Sequence, residues 1–172
     1  MIIENFNRTI DLWIKELGHY SFIQLCAKPP SNSWSLGQVY RHLIDDAKYY
    51  IKQVKICVAI NDYANEQAAH DAKTMFCNNN FPDEILEGSP ANTHMPQPDN
   101  KDQLLNDLLN LKSEINKVAV MISKTSFNGK TKHPGLDYFS ATEWFQFADM
   151  HFRHHLRKKK RIDEFLTIVN HN

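Results

Sequence analysis

A chain of 172 residues with 42% apolar side chains, ten phenylalanines among them, is long enough for one domain with a substantial core. Twenty basic residues balance twenty acidic ones, so the summed field offers nothing to a polyanion and nucleic acid is excluded as an expected partner. No run approaches the ~20 apolar residues that cross a bilayer, and the start, Met-Ile-Ile-Glu-Asn-Phe-Asn-Arg, lacks the basic stretch and apolar run of a leader, so neither membrane nor export is expected.

Five glycines and apolar residues at helical spacing predict helices throughout, residues 1–172 forming one all-α domain. The first helix is expected over Ile3 to Leu17, with Phe6, Ile10, Trp13, Ile14 and Leu17 on one face and Gly18 as a left-handed cap. A short helical turn and connector follow from His19 to Pro29-Pro30. The second long helix announces its start. Ser35 and Gln38 have capping-box spacing, Trp34 and Val39 fit a hydrophobic staple, and the residues from Leu36 to Val58 keep one face apolar.

From Ala64 to Asp99 the periodicity fades through Asn78-Asn79-Asn80 and four prolines, Pro82, Pro90, Pro96 and Pro98. This predicts a long crossover loop with little regular structure. A third long helix is expected from Asp102 to Ser123, with Leu104, Leu108, Leu111, Ile115, Val118 and Ile122 along its seam. Lys124 to Phe139 reads as a second loop. A second capping box, Ser140-Ala-Thr-Glu143, with Phe139 and Trp144 as staple, opens the last helix, which runs to about Ile168. Four long helices make a four-helix bundle.

Three cysteines, Cys26, Cys57 and Cys77, are odd in number and widely spaced, the usage of reduced thiols in a cytoplasmic protein. Nine histidines are the unusual feature, three of them in Met-His-Phe-Arg-His-His at 150–155. His151 and His155, four apart on one helix, lie ~40° around the axis and ~6 Å along it, so their rings project side by side. That is how a helix offers two nitrogens to one metal. The plain alternative is a cluster on the helix surface. His154 is also compatible by its three-residue spacing, although geometry prefers His155.

His42, beside the apolar face of the second helix, is the third candidate. On spacing alone it would more often be a half-buried histidine than a ligand. Three neutral imidazoles would leave a divalent ion its full charge and one open position, suited to hydrolysis or to activating a thiol. No His-Glu-x-x-His, phosphate loop, dinucleotide fingerprint or Gly-x-Ser-x-Gly elbow is present, so metal-centred chemistry is what remains.

Trp34-Ser-Leu-Gly-Gln-Val-Tyr-Arg-His42-Leu-Ile-Asp45 resembles the Trp-Ser…His-Leu-x-Asp block of the DinB/YfiT superfamily, and Glu143-Trp-Phe…Met150-His151-Phe-Arg-His-His155-Leu resembles its closing motif. The resemblance implies a four-helix bundle, a homodimer, and nickel or zinc on three histidines. Carried over, those are His42, His151 and His155, with His154 left beside them as a pocket residue. The implied activities are metal-dependent hydrolysis or transfer of a low-molecular-weight thiol to a small-molecule substrate. The catalytic group would be a metal-bound water or thiolate, with no catalytic side chain identified. One departure stands out: many relatives carry Gln three residues after the last ligand, where this chain has Lys158.

Other polar residues have two readings each. Asp45 and Asp46 could orient an imidazole, or form a solvated acidic patch. His133, Asp137 and Tyr138 could line the pocket mouth, or belong to an ordinary loop. Arg153, Arg157, Lys158, Lys159, Lys160 and Arg161 complement the C-terminal helix dipole, or recognise an anionic cosubstrate. The competing function is a non-catalytic bundle in which an ion only locks two helices together.

Overall fold

The computed structural model describes residues 2–29, 33–82 and 94–169. Pro30, Pro90 and the rest of 83–93, which belong to the predicted connector and crossover, lie outside the described residues. The element order is α1 (Ile2–Leu17), α2 (Phe22–Cys26), α3 (Leu36–Cys57), α4 (His70–Asn78), α5 (Lys101–Lys124), β1 (Lys130–His133), β2 (Asp137–Ser140) and α6 (Ala141–Val169).

Local chemistry fixes where the long helices begin. The Ser35 hydroxyl accepts from the Gln38 amide while the Gln38 side chain accepts from the Ser35 amide, closing the expected box at α3. Ser140 and Glu143 do the same at α6, and Phe139 packs edge-on against Trp144 with centroids 4.9 Å apart. Asn100 caps α5 by accepting from the Gln103 amide.

Cross-helix contacts set the directions. Asn7 and Asp11 of α1 bond Asn116 and Lys112 of α5, so these two run antiparallel. Lys48 and Lys55 of α3 pair with Asp107 and Glu114 of α5, a parallel arrangement. Thr9 and Glu16 of α1 meet Asp149 and Lys159 of α6, again parallel. His42 and Tyr50 of α3 meet His151 and Trp144 of α6, which is antiparallel. The bundle is therefore up-down-down-up. Because α3 and α5 are parallel, the chain between them must return along the bundle, and the crossover falls where the sequence loses its periodicity.

Phe6, Ile10, Trp13 and Leu17 of α1, Tyr40, Leu43 and Ile44 of α3, Leu108 and Ile115 of α5, and Trp144 and Phe152 of α6 are buried in the centre. The Trp13 indole donates to the Phe152 carbonyl, and the Tyr40 hydroxyl donates to the Trp13 carbonyl, so two large polar-tipped rings join three helices without an unmet donor. Gly37 matters at the start of α3. A Cβ there would stand 2.7 Å from Pro98 Cγ and 2.9 Å from the Leu25 carbonyl oxygen, and its absence lets α2 and the end of the crossover press against α3.

Three expectations need correction. Gly18 does not enter the left-handed region; its N–H reaches the Lys15 carbonyl at 3.1 Å, a tightened last turn. Among the described residues positive φ falls on Tyr63, Asn79 and Asp137. The crossover is not without regular structure, since it contains α4. That helix buries only Ala72 fully and has no side-chain cap at Ala69, so its sequence carries a faint amphipathic signal. Finally, the second loop folds as an antiparallel hairpin, Thr131 opposite Phe139 and His133 opposite Asp137. Its packed positions include Thr131, which accepts from the Trp144 indole at 2.7 Å, and His133, stacked on Phe139. Polar residues on the packed side conceal the two-residue alternation.

Candidate metal centre

The antiparallel contact of α3 with α6 brings together segments 109 residues apart. His42 Nε2 lies 3.1 Å from His151 Nε2, and His155 Nε2 lies 3.0 Å from that same atom. One ligand atom from each of the three lies within 4.8 Å of the others. The ring planes meet steeply, at 72–87°, with centroids 4.7–4.9 Å apart, so they converge edge-first and do not stack. His42 and His151 are buried and His155 is partly buried.

Hydrogen bonding alone does not satisfy this arrangement. A neutral imidazole has one N–H and one lone pair, on different nitrogens. His151 Nε2 faces two partners and can be a donor or an acceptor, not both. Among the described residues, the Nδ1 atoms of His42, His151 and His155 are buried without a hydrogen-bond partner. Three Nε2 lone pairs aimed at one point are unfavourable unless a cation lies there. Nitrogens about 2.0–2.1 Å from a shared ion sit about 3.0–3.4 Å from each other, and the two measured separations match the lower end of that range. The residues fit a divalent ion.

Protonation works in the same direction. Burial pushes His42 down to about 4, with Lys158 adding to the effect. Burial, then His42, His154 and Lys158, take His155 down to about 2. His151 falls well below the ordinary imidazole range, through burial and then its three histidine neighbours. All three are neutral near pH 7, so they can act as ligands without first releasing protons.

A family model described as the DinB superfamily matches residues 5–158. The chain belongs to the DinB superfamily. No curated protein and no solved structure matches it.

Around this DinB site, the two adjacent aspartates separate by one residue's rotation. Asp45 is exposed on the far side of α3, in a cleft of about 280 Å³ with Arg41, Lys48, Asp99 and Asp107. Asp46, four after His42, faces the cluster, its Oδ2 3.7 Å from His42 Nε2 and 3.8 Å from His151 Nδ1. Burial pushes its carboxyl up to about 6; the Tyr50 hydroxyl, donating to it at 3.3 Å, opposes that rise and Asp45 reinforces it. Tyr50 lies on the apolar face of α3, and its four-residue spacing from Asp46 is the local signal that pairs the two.

The remaining predicted site residues fall at different depths. The His154 ring lies 5.4 Å from His155 and 5.5 Å from Phe81, beside the triad and outside the three-nitrogen group. His133 lies among Phe139, Trp144 and Phe147, accepting from the Gly135 amide through Nδ1, and burial holds it down to about 4. Asp137 is exposed, with positive φ where β2 begins, and Tyr138 packs on Tyr63. Lys158 places its ammonium 4.1 Å above the Trp34 ring, whose centroid is 5.1 Å from that of His42. Trp34 and Phe81, the latter 6.2 Å from His151, are the aromatic neighbours of the site that its polar motifs did not reveal.

No helix among the described residues is long and apolar enough to cross a membrane.

Proposed function

We propose that this DinB protein is a metal-dependent enzyme, holding nickel or zinc on His42, His151 and His155 and catalysing hydrolysis or transfer of a low-molecular-weight thiol on a small molecule. The observation that carries the reading is the sharing of His151 Nε2 between two other imidazole nitrogens at 3.0 and 3.1 Å. A divalent ion on three neutral ligands supplies Lewis acidity and lowers the pKa of water or a thiol that reaches it.

The surrounding residues divide the remaining work. Asp46 is the one carboxylate among the described residues within 4 Å of the triad; it accepts the proton that a protic reactant gives up and steadies the His151 ring. Tyr50, by donating to Asp46, fixes the carboxylate's orientation. Trp34 and Phe81 cover the rings with apolar surface, which limits water at the reacting atoms. Buried apolar residues of α3 and α6 belong to one core cluster, which supports a catalytic role for the ion over a purely structural one.

The test is a metal-replete preparation assayed for thiol consumption against electrophiles, alongside a panel of esters and amides. The expected result is turnover that disappears in the metal-free protein and in His151→Ala. A stoichiometric metal complex inert on every arm of that panel, and unfolded by chelation, would instead support the structural role. Asp46→Asn should keep its metal yet lose about 100-fold in kcat/KM.

A further inference from the structure

Lys158 and Lys159 are neighbours on α6 with different surroundings. Lys159 is buried and fully engaged: its ammonium lies 2.7 Å from Glu16 and 2.8 Å from Asp163, over the Tyr20 ring. A buried ammonium in a structural role looks like that, paired on both sides. Lys158 is partly buried and rests on Trp34, but no carboxylate among the described residues lies within ion-pair distance of it. It also bears on the triad, since its charge contributes to holding both His42 and His155 neutral.

Charge around the centre is consequently one-sided. The three imidazoles carry none, Lys158 is positive, and Arg161 adds to the field that Lys158 feels. Asp46 is the single carboxylate at the opposite edge among the described residues. A divalent ion would add positive charge to that arrangement. His155 is the one residue of the three that is not fully buried, and Lys158 follows it by one turn of α6. The Trp34 face holds the ammonium in place through a cation–π contact and leaves its N–H donors unclaimed among the described residues.

We propose that the reactant served by this site carries an anionic group, a carboxylate in the first instance, and that Lys158 is the residue that binds it beside the metal. This rests on the reading of His42, His151 and His155 as a metal site. Lys158 then sets which small molecules the site accepts, while the triad sets what happens to them.

The test uses the full chain loaded with cobalt(II), titrated with mercaptopropionate and with its neutral isostere mercaptopropionamide. Both thiols attach to the ion and shift its absorption spectrum, so only the far end of the probe differs. The wild type is expected to bind the carboxylate about tenfold more tightly, and the preference should shrink as salt is raised. Lys158→Gln should erase the preference while leaving the amide's affinity within about twofold, and Lys158→Arg should retain it. Equal affinities in the wild type, or a preference that survives in Lys158→Gln, would overturn the assignment. Failure of cobalt to load removes the metal site, and a loaded spectrum that neither thiol perturbs removes its open position; either result takes this proposal with it. Loading with equal thiol affinities removes Lys158 alone.

Discussion

Two polar regions lie along α6, and they are built on opposite rules. On the side facing α1, each buried charge is matched: Asp149 takes the Thr9 hydroxyl at 2.8 Å and the Arg153 guanidinium at 3.0 Å, and Lys159 lies between Glu16 and Asp163. On the side facing α3, three imidazoles crowd one another and leave their Nδ1 atoms unmatched. Both regions are internal to the same bundle, so helix packing in general does not account for the difference. A matched network is complete as folded. Convergent Nε2 lone pairs cost free energy that a cation at their meeting point would recover, while the Nδ1 positions keep no partner among the described residues either way.

The largest effect that would break this contrast is at His151, the ring shared by both close contacts. His151→Ala should lower metal affinity by at least about 100-fold, read by elemental analysis after dialysis against limiting metal, with far-ultraviolet helicity retained. His151→Leu sharpens the point. It removes an unmatched buried polar group, so the metal-free variant should unfold in urea at the same concentration as the metal-free wild type or a higher one. A large loss of stability would mean that the triad is a satisfied network.

The matched side should give the reverse outcome. Asp149→Ala removes the acceptor shared by the Thr9 hydroxyl, which keeps the Asn5 carbonyl, and the partly exposed Arg153 guanidinium, and it should cost about 2 kcal/mol. Metal stoichiometry should remain at the wild-type level. Arg153 also bonds the Asn79 carbonyl and side chain, so part of that loss should show as faster amide exchange in α4, the helix that Asn79 ends.

Legibility followed the range of the interactions. Ser35 with Gln38 and Ser140 with Glu143 were readable because a capping box lies within four residues, and the structure closes both. The seam of α5 and the face of α1 were readable by periodicity. The pairing of His151 with His155 is a four-residue relation and was visible as such; the approach of His42 depends on the antiparallel packing of α3 on α6, which the resemblance supplied and spacing did not. What was lost had weak or inverted local signals. The cluster α4 contributes a single fully buried residue, and the hairpin turns Thr131 and His133 toward the core where apolar residues would have shown a pattern. Gly18 failed as a left-handed cap because a glycine permits that conformation without requiring it. Asp45 and Asp46 were inseparable by composition, and only the helix's rotation selects the second.

Acid separates the unmatched rings from the matched network by pH. His42 and His133 are held down to about 4 and His155 to about 2, against an ordinary imidazole in the unfolded chain. Above about 6.5 both states are neutral and this stability is fully present. As pH falls below that, the unfolded chain takes protons that the folded one refuses, and stability declines through pH 4 towards 2. Asp46, raised to about 6 by burial, takes up its proton in the fold first and offsets part of this loss. With three depressed imidazoles against one carboxyl, metal-free protein should still lose thermal stability from pH 6.5 to 4, a range above the ordinary titration of exposed carboxylates. His133→Leu, outside the triad, should flatten one part of that decline while leaving metal binding unchanged. A melting temperature constant across this range would show that the rings take up protons in the fold as readily as in the unfolded chain.

The smallest effect concerns the joint that presents one region to the other. Gly37 follows the Ser35 cap and packs beneath Pro98 and the Leu25 carbonyl, holding the N-terminus of α3, and with it Trp34 and His42, against α2 and the crossover. In Gly37→Ala the new methyl meets backbone as well as a proline ring, so relaxation must move the helix start, at a cost of about 1–2 kcal/mol. Helix propensity favours alanine by about 1 kcal/mol, which offsets part of that strain. The net change in urea midpoint should accordingly be small and destabilising. Metal affinity is the more discriminating readout, because a displaced α3 would open the 3.1 Å approach of His42 to His151 while leaving His155 where α6 holds it. Weakened metal binding with near-normal stability would locate the geometry of the centre in the packing of α3's first turn.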